Sequence, residues 1–600
     1  TPLAVPSLPP YNDPAGAMGY WQAIGGCETG PSVPKPGDPN IVYSSCKGRF
    51  TVYNKFTGQE RHYYVGAENM YGHNPRDLKY RFQRVAPVLV SPHNADVIYH
   101  ASQFLHKTSD EGATWSTISP DLTAFNPETQ VISGSPITRD ITGEEFHSTI
   151  YAVAESPIKE GLLWVGANDG LVHVTRDGGK GWINVTPTGL GPGGRVNCIE
   201  PSPHRQGSAY VSILRYQLGD WRPYLYKTEN FGKSWQLLTS GENGIPADFP
   251  VRVVREDPAR EGLLYAGTEY GLFISYDNGQ RWSAFQQNLP ITPVTDMRIH
   301  RNDLIISTMG RGFWILDNIN SLAQLPMISD KSSILPTPDA YAYRYKGNDP
   351  SATPHYPAPG VIIDYYISEG SAKKIALEIY DDKKNLIRAF HCQGDSPAIN
   401  GGYSEALLDS ARGLRRFRWD MRHRGPWDKV KSKPLQNGPR VAPGRYTVRL
   451  LQDDKYYEQS FSILKDPRTK DLTDNDLRDQ ERLALQVRTA IDTAKSLALA
   501  ITAKLKVKNE LSSDDHSSLS ESTAKKILSQ LESELVTREG AYTTPMLIDQ
   551  LVYLYSMLDK ADQKPGADAY TRFAELKIRL ENVAGRYKSS VAGVTQGAGD

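Results

Sequence analysis

The sequence predicts a mainly β protein: a β-propeller of about six blades, then an immunoglobulin-like β-sandwich and a C-terminal α-helical bundle. Three observations carry this. A [Ser/Thr]-x-[Asp/Asn]-x-Gly-x-x-Trp box occurs four times in the first half of the chain. An apolar strand precedes each box and occurs twice more without one. From residue 466 onward the apolar spacing turns helical.

The boxes occupy residues 108–115, 175–182, 228–235 and 275–282, with Asp110, Asp177, Asn230 and Asp277 at the third position. Their chemistry is that of a hairpin turn. The acid or amide accepts backbone N–H groups, Gly takes positive φ, and the hydroxyl ties the incoming strand. Trp115, Trp182, Trp235 and Trp282 then open the outgoing strand and fill the gap to a neighbouring sheet. All eight residues are read as structural and not catalytic. The preceding strands lie in residues 91–99, 156–164, 202–210 and 257–265, and the boxless copies in 38–43 and 302–307. Four short antiparallel strands per unit, with the box between the third and fourth, describe propeller blades, and six second strands give six blades.

The last unit runs out at Gly312-Phe-Trp-Ile-Leu316 with no fourth strand. Residues 21–24 have the Trp-x-x-apolar form of such a strand and are expected to supply it, closing the ring. The alternative is that Trp21 belongs to a blade whose earlier strands lie upstream. The expected domains are 1–320 (propeller), 321–465 (sandwich) and 466–600 (helical bundle). In the second, apolar alternation in 375–380 and 446–451, with 415–421 between them, indicates sandwich strands. In the third, Thr473 with Asp476 forms a capping box. Val487, Ile491, Ala494, Ala498, Ile501 and Leu505 then trace the seam of a long helix, and later apolar stripes make a bundle of three or four.

Lys+Arg and Asp+Glu are both 68 in 600 residues, which argues against a general nucleic-acid binder. No run of about 18 apolar residues exists, so no membrane span is expected. The four cysteines lack zinc spacing, so no metal is expected, and no cofactor motif is present. Cys27 and Cys46 flank a Pro-rich loop. A disulfide there would close about 20 residues and stabilise by roughly 3 kcal/mol; the alternative is two separate buried thiols. Cys198 and Cys392 read as core or unpaired thiols. An oxidising compartment (extracellular, cell surface or periplasmic) is favoured, with any signal peptide already removed.

The boxes resemble the Asp-box, or bacterial neuraminidase repeat, shared by sialidases, xyloglucanases and sortilin-type propellers. The stretches SPDLT (119–123), GLLYAGTEYGLFISYDNGQRW (262–282) and STMGRGFWILD (307–317) are similar to large bacterial exported proteins labelled sortilin-like or "glycosyl hydrolase" repeat proteins, in their C-terminal part. The resemblance implies the fold, export, and an upstream propeller half of the same precursor as a partner. It implies hydrolysis by label alone. The three arginines and the Tyr–Glu pair of sialidases are not assignable here. The two aspartates of xyloglucanases face each other across a cleft between two propellers.

Boxes occupy one face of the propeller, so a ligand site belongs to the other. The third box unit has a longer turn between second and third strands, residues 214–224, and residues 119–147 form a long link on the same face. The turn supplies Arg215, Tyr216, Asp220, Trp221 and Arg222; the link supplies Arg139, Glu144, Glu145 and His147; other turns supply Asp169, Glu269, Tyr270 and Arg311. Aromatics with arginines suit sugar stacking or an acidic peptide. Glu145, Asp169 and Glu269 are the candidate catalytic acids, provided a pair lies about 5 or 6.5–9.5 Å apart. The competing reading is that these charges pair with each other. The sequence thus points to an exported module that binds a glycan or extended peptide. The alternatives are a glycoside hydrolase using the same face and a non-enzymatic structural subunit of a cell-surface assembly.

Overall fold

The computed structural model describes residues 2–5, 21–134, 136–143, 146–325, 331–344, 355–368, 375–392, 408–426, 437–511, 519–540 and 543–595. Two compact units contain Ala15–Pro326 and Met327–Asp600 respectively.

The first unit holds five four-stranded antiparallel sheets and a sixth of three strands, each in simple up-and-down order. The first sheet is Ser32–Lys35, Asp38–Cys46, Arg49–Asn54 and Glu60–Tyr64. The second is Val88–Val90, Ile98–Ala101, Leu105–Thr108 and Ser116–Thr117. The third is Ile150–Glu155, Leu163–Ala167, Val172–Thr175 and Ile183–Asn184. The fourth is Arg195–Pro201, Ala209–Arg215, Asp220–Thr228 and Gln236–Leu237. The fifth is Val251–Glu256, Leu264–Thr268, Gly271–Ser275 and Ser283–Ala284. The sixth is Val294–His300, Asp303–Thr308 and Phe313–Leu316. This is a β-propeller array. The six apolar runs read from the sequence are the second strands. In the second to fifth sheets they are apolar because neighbouring sheets pack on both of their faces, which buries Trp164, Tyr210 and Tyr265.

The boxes form the turns before the fourth strands. Thr108, Thr175, Thr228 and Ser275 each accept, through the side-chain oxygen, the N–H of the box glycine at 2.9–3.0 Å. Asp110, Asp177, Asn230 and Asp277 accept the N–H four residues on, also at 2.9–3.0 Å. Gly112, Gly179, Gly232 and Gly279 all sit at positive φ, between 80° and 98°. A side chain at Gly232 would also strike Val185 of the preceding sheet. Hydrogen bonds from Thr114 and Thr108 hold the exposed Asp110 carboxyl down to about 2.

Each later box tryptophan ties its own sheet to the one before. The indoles of Trp182, Trp235 and Trp282 donate to the carbonyls of Ile118, Val185 and Leu238 at 2.9, 2.6 and 3.1 Å. Trp115 packs instead edge-on against Phe50 of the first sheet, with centroids 5.3 Å apart.

Ring closure through residues 21–24 is corrected by the structure. Gln22–Ala23 pairs with Leu3–Ala4, and the sixth sheet has no fourth strand among the described residues. Gly25 and Gly26, both at positive φ, turn the segment onto the first sheet. There the Gln22 amide donates to the Lys55 carbonyl at 3.1 Å and the Gly26 N–H to Glu60 at 2.7 Å. A disulfide joins Cys27 to Cys46, with Cα atoms 5.5 Å apart, and fixes this turn beside the second strand of that sheet. Cys198 and Cys392 are buried thiols.

In the second unit, Ser333–Ile334, Val361–Ile367 and Gly413–Trp419 form one sheet. Ala340–Tyr341, Lys455–Leu464, Gly444–Gln452, Ile375–Tyr380 and Leu386–His391 form the other, in that order. Both sheets bury Tyr365, Trp419, Val448 and Phe461 in one core. The Tyr446 hydroxyl donates to the Ala442 carbonyl at 2.6 Å, the corner contact familiar in immunoglobulin-like sandwiches. Helices Asp474–Leu511, Leu519–Leu535, Leu547–Leu558 and Ala567–Thr595 follow. The Thr473–Asp476 capping box forms in both directions, at 3.0 and 3.2 Å. Arg422 reaches Asp559 at 2.9 Å and Arg344 reaches Asp562 at 2.5 Å, pinning the sandwich to the helices.

These contacts set three expected outcomes. Trp235→Ala removes buried ring area and the indole bond, and lowers propeller stability by about 3 kcal/mol in denaturant unfolding. Asn230→Ala loses only turn hydrogen bonds and costs about 1 kcal/mol. Replacing Cys27 and Cys46 by serine frees a loop with a sequence separation of 19 and costs roughly 3 kcal/mol in the same assay.

Candidate functional site

The hairpin of the second and third strands of the fourth sheet, Ala209–Arg215 and Asp220–Thr228, is longer than the matching hairpins of the third and fifth sheets and stands out on the face opposite the boxes. Arg215 closes the second strand of the fourth sheet and pairs in register with Asp220. A single 3-10 turn, Tyr216–Leu218, bridges them, and Gly219 at φ 75° makes the left-handed step back into the sheet.

Asp220 organises this hairpin. Its carboxylate receives both the Nε and one terminal nitrogen of Arg222 at 2.9 Å, and the Tyr224 hydroxyl at 2.6 Å. The Arg215 guanidinium lies 3.4 Å away and donates to the Gly193 carbonyl at 2.7 Å. The Arg222 hydrogen bonds hold the Asp220 carboxyl well below the usual carboxylate range, and Asp220 in turn raises Arg222. Burial, reinforced by Asp220, pushes the Tyr224 phenol up to about 12. Arg215 and Asp220 therefore brace the loop. What the loop presents outward is aromatic. The rings of Tyr216 and Trp221 lie 5.7 Å apart at an interplanar angle of 33°, and Trp221 is 48% exposed. Leu218 is exposed beside them, and so is the Arg222 guanidinium.

Behind Tyr216, the Arg252 guanidinium sits 5.9 Å from its ring and pairs with Glu269 at 2.7 Å, both nearly buried. The Asn197 amide donates to the Arg252 carbonyl at 2.8 Å, and Arg195 covers the Tyr151 ring at 4.6 Å. Next to Glu269, Tyr270 packs on Phe249 at 4.5 Å and remains 41% exposed.

The remaining sequence candidates have other settings. Asp169 is buried and accepts the Ala124 N–H at 2.8 Å, which anchors the long link to the third sheet. Arg139 donates to the Gly72 carbonyl at 3.4 Å, so it faces the link between the first and second sheets. His147 meets the Thr129 hydroxyl at 3.1 Å. Arg311 shapes its own turn: its N–H bonds the Thr308 hydroxyl and its carbonyl takes the Trp314 indole. Glu144 and Glu145 lie outside the described residues.

The structure thus brings Arg215, Tyr216, Asp220, Trp221 and Arg222 together, with Glu269 reached through Arg252. The sequence reading missed Arg252. It missed as well Arg81, whose ion pair with Asp121 at 2.8 Å holds the long link. The strand Val251–Glu256 carries Arg252, Arg255 and Glu256 among its valines, and nothing in that pattern singles out Arg252. Among the described residues no group of three or more His, Cys, Asp or Glu is placed to hold a metal ion, and no helix is long and apolar enough to cross a membrane.

No protein-family profile matches the chain, and no curated protein matches it. Among solved structures it is similar to the GH74 xyloglucanase of Xanthomonas campestris, at 15% identity over 71% of this chain and 71% of that one, with TM-score 0.35. It is also similar to YCF48 bound to D1 peptide, at 12% identity over 49% of this chain and 84% of that one, with TM-score 0.29. A third is PorZ, a bacterial surface component of the type-IX secretion system of Porphyromonas gingivalis, at 13% identity over 72% of this chain and 51% of that one, with TM-score 0.25. At such identities and scores the likeness brings no activity, partner or site to this chain. By its own sheets the chain is a β-propeller protein with one extended, aromatic-tipped hairpin on its loop-rich face.

The hairpin has a defined pH response. Asp220 titrates below its unfolded value of about 3.9, so its pairing stabilises the loop at every pH above that value. The contribution is lost only as pH falls through the depressed folded value. Tryptophan fluorescence of Trp221 is expected to stay constant from neutral pH to about pH 4 and change below it. Asp220→Asn is expected to show the altered signal already at neutral pH.

Proposed function

We propose that this protein is an exported propeller module that binds a glycan or an extended peptide at its loop-rich face. One observation carries the reading. A braced hairpin presents the Tyr216–Trp221 pair outward, where a rigid aromatic platform flanked by an exposed arginine suits a sugar ring or a planar peptide group. Arg215 and Asp220 position that platform; Trp221, Arg222, Tyr216 and Tyr270 make the contact. The platform costs little entropy on binding because Asp220 already fixes Arg222, and Arg252 already backs Tyr216.

The Cys27–Cys46 disulfide supports an oxidising compartment outside the cytosol. An upstream propeller half of the same precursor fits as a partner. Glycoside hydrolysis receives less support. Glu269 is nearly buried against Arg252, and Asp169 is buried with one carboxylate oxygen on the Ala124 amide, so neither is exposed to a glycosidic oxygen.

A panel of polysaccharides and peptides, scored for both retention and released sugar, tests this. Retention without release is expected, with Trp221→Ala plus Arg222→Ala weakening it by at least about tenfold at unchanged melting temperature. Released sugar that disappears in Glu269→Gln would instead make the protein a hydrolase.

A further inference from the structure

We infer that the sixth sheet is a strand-docking surface. Its third strand, Phe313–Leu316, accepts a further antiparallel strand from a partner polypeptide that enters with a tryptophan. This site is separate from the hairpin on the loop-rich face.

The first support is register. In the fifth sheet, Leu264 pairs with Ser275 and Gly267 with Leu272, and the outer strand then adds Ser283 to Ile274 and Ala284 to Phe273. The sixth sheet repeats the inner pairing: Leu304 with Leu316 and Ser307 with Phe313. Even the turn bond is kept, since the Ile319 N–H reaches the Asn302 carbonyl as the Asn278 N–H reaches that of Gly262. Ile315 and Trp314 are therefore the counterparts of Ile274 and Phe273. There the repeat ends: after Asn318 the chain enters the short helix Asn320–Gln324 instead of a box.

Burial is the second support. Leu105, Val172 and Leu272 occupy the position of Phe313 in three earlier sheets, and all are buried. Phe313 is 84% exposed and Ile315 is 59% exposed. Both lie on the sheet face that carries Ile305 and Arg298, as the pairings Arg298–Ile305 and Ile305–Ile315 require. In the second to fifth sheets that face forms a junction; here no described strand packs on it. An open apolar edge is a template for strand addition.

The third support is an acceptor without its indole. The N–H groups of Ile118, Val185, Leu238 and Phe285 bond the carbonyls of Leu105, Val172, Leu225 and Leu272, so these four residues end their outer strands in the same way. The carbonyls of Ile118, Val185 and Leu238 each receive the next box tryptophan. Phe285 receives none among the described residues. An incoming tryptophan supplies it, which fixes the direction of the added strand. The chain's own Trp21 does not serve, because its segment is held on the first sheet beside the Cys27–Cys46 disulfide.

The test uses the full chain and a synthetic peptide with the sequence of residues 279–286, GQRWSAFQ, followed by fluorescence anisotropy. Saturable binding is expected. It weakens by about tenfold or more when the peptide's tryptophan becomes alanine and in the protein variants Phe313→Lys and Ile315→Lys. Both variants change exposed side chains and leave the melting temperature and the loop-face retention unaltered. No saturation up to millimolar peptide, or equal binding by both variants, overturns the proposal. Concentration-dependent self-association without peptide, lost in Phe313→Lys, also overturns it and assigns the surface to a second copy of this chain.

Discussion

The propeller depends on one repeated bond, the indole N–H of a box tryptophan reaching back to the last carbonyl of the preceding outer strand. A single four-stranded meander has two faces to bury and cannot do so alone. The box solves this locally. Its hydroxyl and carboxylate close the turn, its glycine comes close to the neighbouring sheet, and its tryptophan crosses the junction. At the third-to-fourth junction, Gly232 faces Val185 while Trp235 bonds that residue's carbonyl. Turn geometry and sheet-to-sheet packing are thus set by the same eight residues, so the repeat tolerates wide variation elsewhere.

This division of labour underlies the proposed place of the ligand site. Box aspartates spend both carboxylate oxygens or their main acceptor on the turn, as Asp110 does with Thr108 and Thr114. They are unavailable for chemistry. The opposite face bears only loops, whose lengths the scaffold leaves free. There the 214–224 hairpin extends beyond its counterparts and is braced from beneath by Asp220 and Arg215. The outcome is an exposed aromatic surface with little freedom to move, a feature that favours recognition more than acid–base catalysis.

Much of the architecture was legible because it repeats. The second strands announce themselves through Tyr99, Trp164, Tyr210 and Tyr265, and the boxes through fixed spacing. The helix start at Thr473 was legible because a capping box is local. Non-local choices were not. The pattern Trp21-x-x-Ile24 states that a strand is possible but not which edge it meets; Gly25, Gly26 and the disulfide decide that. At the site, the hairpin residues were found because an insertion is visible as length. Their roles were not, since the pairing of Arg215 with Gly193 and of Glu269 with Arg252 depends on how distant segments fold together. Arg139 and Asp169 share the face by topology, yet each is taken up in holding a link.

The central claim is that recognition belongs to the braced hairpin and not to the repeat. It is tested most directly by replacing residues 216–221 with a short Gly-containing turn like those of the neighbouring sheets, then comparing ligand retention and thermal unfolding with the parent chain. The account predicts an unchanged propeller transition and complete loss of glycan or peptide retention. Full retention by the shortened chain would contradict it and move the site elsewhere on the molecule.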